Sequence, residues 1–186
     1  MRKVIFQMLT TLDGFFEGKQ REIDWHVVDQ EYNDYIWSIF PALDMLLFGR
    51  VTYEMMAEFW SSAVALEEDP VTANWMNELP KVVFSRTLRQ ADWQNTRLIK
   101  TDPVAEVKRL KALSGKDMAI LGSSDLALPL LEANLIDEYH LFVNPLLLGE
   151  GKRLFAGLSH RVHFKLLRTK VFASGLVGLF YQPLTK

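Results

Sequence analysis

Short apolar runs alternate with amphipathic helical patterns from one end of this chain to the other, and that alternation limits the fold more than any other feature. The spacing predicts strands over Val4–Leu9, Met45–Phe48, Lys81–Ser85, Arg97–Lys100, Met118–Leu121 and Tyr139–Val143, with two further strands at His163–Thr169 and Leu176–Gln182. Four helices are expected between them. The first follows Asp29 as N-cap and is stopped by Pro41; the second follows Gly49. The third runs from Asp102-Pro103 towards Gly115, and the fourth from Ser124 to Asn134 with Pro129 inside it. Strands separated by helices favour parallel pairing through right-handed crossovers. The last two strands have no helix between them and should form an antiparallel hairpin. The expected fold is therefore α/β, a mixed and mostly parallel sheet with an antiparallel C-terminal edge.

At 186 residues, one domain over 1–186 is expected. Folding would bury about 70% of the unfolded surface, enough for a self-sufficient core. The 21 Lys and Arg against 23 Asp and Glu leave a net charge of −2, which disfavours a nucleic-acid partner, since that would need a basic face. With no cysteine, disulfides, thiolate zinc sites, iron–sulfur clusters and a cysteine nucleophile are excluded. The run Val4 to Leu9 is short for a signal peptide, and the charge-free stretch Val171 to Thr185 is short for a membrane span. A cytoplasmic protein without a membrane partner is expected. No metal site is expected: His160 and His163 have no third ligand nearby in a zinc-binding pattern. Neither an ATP-type phosphate loop nor a Gly-x-Ser-x-Gly elbow occurs.

In sheets of this kind ligands settle beyond the carboxyl ends of the strands, and three strand-to-helix loops there carry anion-binding chemistry. In Phe48-Gly49-Arg50-Val51-Thr52, Gly49 admits a ligand to the backbone at a helix N-terminus. Arg50 can fork onto a phosphate and Thr52 can donate its hydroxyl, although Arg50 could equally pair with Glu54 on the same helix. The turn Ser85-Arg86-Thr87 offers hydroxyls and a guanidinium suited to the 2′-phosphate of NADPH; a ribose without that phosphate would call for a carboxylate. Gly122-Ser123-Ser124 could take a pyrophosphate on backbone amides and hydroxyls, though it is not the G-x-G-x-x-G fingerprint.

These loops, with Leu12-Asp13-Gly14 and the stretch from Pro145 through Leu148-Gly149-Glu150-Gly151 to Leu154-Phe155, occur in the order seen in dihydrofolate-reductase-like proteins. The chain resembles one branch of them, the C-terminal reductase domain of the riboflavin-biosynthesis deaminase-reductases and its stand-alone bacterial relatives. The resemblance implies a three-layer dihydrofolate-reductase-like sandwich, a homodimer, and NADPH lying across the strand ends. By position, Gly49, Arg50 and Thr52 would hold phosphate, Ser85 and Arg86 the adenosine 2′-phosphate end, and Gly122, Ser123 and Ser124 the pyrophosphate. Ser123 replaces a glycine usual in dihydrofolate reductases, and its side chain could crowd the cofactor. Leu12, Asp13 and Gly14 would meet the nicotinamide and substrate, and Gly149 and Gly151 would bound the far side of the pocket.

Hydride transfer also needs a proton source. Asp13 is the expected proton-handling or substrate-orienting group, because a carboxyl beside an apolar loop can have a raised pKa. Trp25 could stack on a flat substrate. Asp29 and Tyr32 begin the helix that lines the substrate side of this fold, where Asp29 could simply cap. The expected activity is NADPH-dependent reduction of a small planar heterocyclic or carbonyl substrate. The alternative is a non-catalytic dimeric nucleotide-binding protein that kept the fold.

Overall fold

The computed structural model describes residues 1–184. Eight strands form one sheet in the order β5-β4-β3-β6-β1-β7-β10-β9. They are β1 (Val4–Thr11), β3 (Leu43–Gly49), β4 (Lys81–Phe84), β5 (Thr96–Ile99), β6 (Asp117–Leu121), β7 (Glu138–Asn144), β9 (Phe164–Val171) and β10 (Val177–Pro183). The first six named run parallel, and β10 lies antiparallel to both β7 and β9. The expected mixed sheet with its C-terminal hairpin is thus present. A two-strand ribbon, β2 (Phe15–Glu17) with β8 (Lys152–Arg153), stands apart from it.

Helices cover both faces. On one face lie α5 (Pro103–Ala112) and α6 (Ser124–Glu132), packed through Val107, Leu110, Leu126 and Leu130 onto Val4, Phe6 and Met8 of β1. On the other face lie α1 (Gln30–Ile39), α2 (Arg50–Trp60), α3 (Ala63–Glu68) and α4 (Pro70–Glu78). These split into two apolar clusters. Tyr53 of α2 and Met76 of α4 join Leu46, Phe48 and Trp93, while Tyr32 and Ile36 of α1 join Phe142, Phe172 and Phe180. Alternation along β1 divides it between the two layers: Val4, Phe6 and Met8 face α5 and α6, and Ile5, Gln7 and Leu9 face the other way.

Two helices escaped the sequence pattern. α3 and α4 have clear caps, since Ser62 accepts from Ala65 N–H and Asp69 from Thr72 N–H. Their apolar residues Val64, Leu66 and Val71, however, point to solvent, so no periodic stripe marks them. Three helices therefore join β3 to β4 where one was expected, and no helix intervenes between β4 and β5. Among the described residues no helix is long and apolar enough to cross a membrane.

Candidate functional site

Because six strands run parallel, the loops after β1, β3, β4, β6 and β7 all emerge on one edge of the sheet. Gly49 pairs in register with Phe84, which brings Arg50 and Ser85 out side by side from neighbouring strands. β6 adjoins β3 on its other side, so the turn at Gly122 completes a row of three loops.

Two of these loops are tied together. Gly49 N–H donates to the Ser123 hydroxyl at 3.0 Å, and Ser123 N–H donates to the Thr52 hydroxyl at 3.1 Å. Ser123 holds a left-handed backbone (φ 59°, ψ 53°), a conformation that carries strain in a residue other than glycine. Its side chain is turned inward, leaving the residue 8% exposed. There the hydroxyl braces the loop from inside. Gly122 (φ 64°) holds a backbone that strains any side chain, and a Cβ there would press on the Thr52 methyl at 3.3 Å. Ser124 opens α6, and in the helix's first turn the Lys152 ammonium neutralises Asp125 at 2.9 Å.

The Arg50 guanidinium rests on Glu54 at 2.7 Å, the alternative partner open to it from sequence. Both groups are exposed, so the pair is worth about 0–1 kcal/mol and yields readily to a stronger anion. Ser85 caps its own turn, accepting from Thr87 N–H (3.2 Å) and Leu88 N–H (2.9 Å), and Arg86 is exposed beside it.

A step in the sheet lies next to this row. β1 and β6 pair only as far as Gln7 and Leu121, where Gly122 N–H closes the ladder on the Gln7 carbonyl. β1 and β7 pair four residues further, to Thr11 and Asn144. At about 3.3 Å per residue, β1 extends roughly 13 Å past the end of β6.

The loops at the top of β1 and β7 are fastened through Asp13. Its carboxylate accepts from the Thr11 hydroxyl (2.6 Å), Leu148 N–H (3.1 Å) and Gly149 N–H (2.8 Å). The Thr11 bond, helped by the two amides, holds its pKa down at about 2. The expectation of a raised pKa is therefore corrected: Asp13 is a charged brace between two loops and not a proton reservoir at neutral pH. Its pKa lies below the value of about 3.9 in an unfolded chain. The clamp is therefore at full strength above about pH 4 and is lost as pH falls towards 2. In Asp13→Ala, hydrogen exchange at the Leu148 and Gly149 amides is expected to speed up on the order of tenfold at neutral pH. Unchanged exchange would show that the clamp is not what orders the loop.

This clamp presents Leu12 and Leu147, which are 63% and 71% exposed, on two loops joined by a bond from Leu12 N–H to the Leu146 carbonyl. Gly14 (φ 82°) makes the turn after Asp13. Gly149 contributes its amide to the clamp. Gly151 directly precedes β8. A Cβ there would sit 2.3 Å from the Glu17 carbonyl oxygen, so it is the point where β8 lies against the end of β2.

Of the residues expected on the substrate side, Asp29 is the N-cap of α1, accepting from Tyr32 N–H at 2.8 Å. Tyr32 is buried, edge-on to Phe142 at 5.2 Å, and its hydroxyl accepts from the Gln7 amide at 3.4 Å. Burial pushes its phenol pKa up, so it stays protonated. Trp25 packs edge-on against His26 at 4.4 Å, with its indole N–H buried and unpartnered. Burial lowers His26 to about 4, against a weaker opposing pull from the Phe16 carbonyl, so its imidazole is neutral at pH 7.

The RibD C-terminal domain family matches residues 2–178 of the chain. The protein YyaP of Bacillus subtilis (strain 168) is 34% identical over 187 residues, spanning 97% of this chain and 95% of its own. Among solved structures, a candidate riboflavin biosynthesis protein of Shewanella sp. PV-4 superposes with a TM-score of 0.77 at 23% identity, covering 98% of this chain and 99% of that one. A diaminohydroxyphosphoribosylaminopyrimidine deaminase/5-amino-6-(5-phosphoribosylamino)uracil reductase of Thermotoga maritima gives a TM-score of 0.71 at 15% identity, covering 98% of this chain and 57% of its own. The fold is the dihydrofolate-reductase-like sandwich.

Proposed function

The chain belongs to the RibD C-terminal domain family, and from that premise we propose that it is an NADPH-dependent reductase acting on a small planar heterocyclic or carbonyl substrate. The observation that carries this is the interlock of Gly49, Thr52 and Ser123, which fixes two loops and the N-terminus of α6 in one row with Arg50, Ser85 and Arg86. The donor set fits a phosphorylated dinucleotide. In this reading Gly122 and Ser123, their own amides engaged by the Gln7 carbonyl and the Thr52 hydroxyl, shape the loop, and Ser124 with the first amides of α6 holds the pyrophosphate. Arg50 leaves Glu54 for phosphate, and Ser85 and Arg86 hold the 2′-phosphate. Bound NADPH would supply the hydride. The step between β1 and β6 would admit a flat ring, with Leu12 and Leu147 screening it from water. A homodimer belongs to the same proposal, because β9 leaves an outer edge bearing exposed Leu166, Leu167 and Val171.

Titration of the purified protein with NADPH and NADH tests the reading. NADPH is expected to bind more tightly, and Arg86→Ala to weaken it about 10- to 100-fold, the loss of one charge-assisted contact, while NADH is unaffected. Failure to bind either nucleotide would overturn the proposal. Binding without oxidation across pterins, flavin precursors and quinones would favour the non-catalytic alternative.

A further inference from the structure

Resting on the proposed reductase reading, the structure assigns Lys152 the part of a positioning residue, whose ammonium cancels the charge of Asp125 and so leaves the first turn of α6 open to a pyrophosphate. Among the described residues the Ser124 and Asp125 amides have no hydrogen-bond partner, whereas the Leu126 and Ala127 amides both return to the Ser123 carbonyl at 3.0 Å. The Asp125 carboxylate stands in the same turn. A carboxylate there interacts favourably with the positive end of the helix. Left bare, it would repel any second anion brought to the same amides.

Lys152 meets that charge from β8, 27 residues further along the chain, with Nζ at 2.9 and 3.1 Å from the two Asp125 oxygens. The ribbon fixes where the ammonium can reach. Phe15 pairs with Arg153 and Glu17 with Lys152, and Leu154 N–H donates to the Gly14 carbonyl at 2.9 Å. The ammonium also lies 5.5 Å from the centroid of the Phe16 ring. The chain leaves the ribbon through Phe155 at φ 61°, a costly conformation for a bulky residue, and seats that ring against Phe6 and Tyr139. The Lys152 and Asp125 side chains are 42% and 82% exposed, so their pairing adds little to stability. Its effect falls on the field at the helix start. With Lys152 in place the turn offers free amides beside a neutral pair; without it, the same amides stand beside a bare negative charge.

Calorimetric titration with NADPH at two salt concentrations tests the assignment. Lys152→Met should weaken binding about tenfold at about 0.05 M salt, and only about twofold near 1 M, where charges are screened within about 3 Å. NADH carries the same pyrophosphate and should lose as much. Adding Asp125→Asn to Lys152→Met should bring affinity back to within about twofold of wild type, a recovery that a misfolded variant could not show. A double variant as weak as the single one would mean that Lys152 touches the phosphates itself, and would overturn the assignment. So would a Lys152→Met protein that binds like wild type, or a loss confined to NADPH. If the wild-type protein binds neither nucleotide, it is the reductase reading beneath that falls.

Discussion

Truncating Phe142 to alanine is expected to destabilise the protein by about 3–5 kcal/mol, a large share of the roughly 5–15 kcal/mol available to a domain. Phe142 is 0% exposed and sits in an aromatic cluster, its ring 5.2 Å from Tyr32, 6.0 Å from Tyr35, 6.2 Å from Phe172 and 5.9 Å from Phe180. Four rings from two separate elements, α1 and β10, and from the turn after β9 cannot all relax into the hole, so most of the cavity would persist. At about 2–4 °C per kcal/mol for a chain of this size, the melting temperature should fall by roughly 6–20 °C. The same cluster seats α1, so the Tyr32 hydroxyl should also lose its place above Gln7. Phe142→Leu should lose less than half as much. An alanine variant within about 1 kcal/mol of wild type would show that α1 does not depend on this cluster.

Lys81→Met is expected to destabilise by about 2–4 kcal/mol even though it removes a charge from the interior. Lys81 opens β4 and is 1% exposed. Its ammonium donates to the carbonyls of Met76 (2.8 Å), Asn77 (3.1 Å) and Leu79 (2.7 Å), which are the loose acceptors at the C-terminal end of α4. It also lies over the Trp93 ring, 4.5 Å from the centroid. Methionine fills the volume but takes that donor from the Met76 and Leu79 carbonyls in a poorly hydrated place and leaves Asn77 only its long bond from the Asn95 amide. Urea unfolding should show the midpoint shift with the slope unchanged. A neutral result would mean that water satisfies the helix end unaided.

Lys81 also illustrates where sequence patterns stop being informative. A lysine at the start of an apolar run reads as the solvated boundary of a strand, and only the return of α4 onto β4 converts it into a buried cap. The main strands were legible because period-two burial and continuous apolar runs are local signals. So were the caps at Asp29 and Asp102, each seen accepting a backbone amide as expected. The ribbon of β2 and β8 was not, since it pairs Phe15 with Arg153 across more than a hundred residues and is too short to have a period. The order of the three loops along the chain was readable, and so was their shared edge once parallel strands were inferred. What could not be read was their mutual bonding: nothing near Ser123 in sequence indicates that its hydroxyl meets Gly49. Asp13 went wrong for a related reason. A carboxylate in a turn draws its pKa from whatever donors reach it, and two of the donors here come from Leu148 and Gly149 at the other end of the chain.

The central place of β1 has a consequence for how the chain is made. Its neighbours begin at Asp117 and Glu138, so this strand waits for more than a hundred further residues to be synthesised before either flank can be hydrogen-bonded. During synthesis, Val4 to Leu9 is a sticky apolar segment without a sheet to join, and closure of such distant contacts is slow. The nascent protein is thus most exposed to aggregation at the strand that later anchors the loop edge, and chaperone capture of that segment would protect the candidate site as much as the fold.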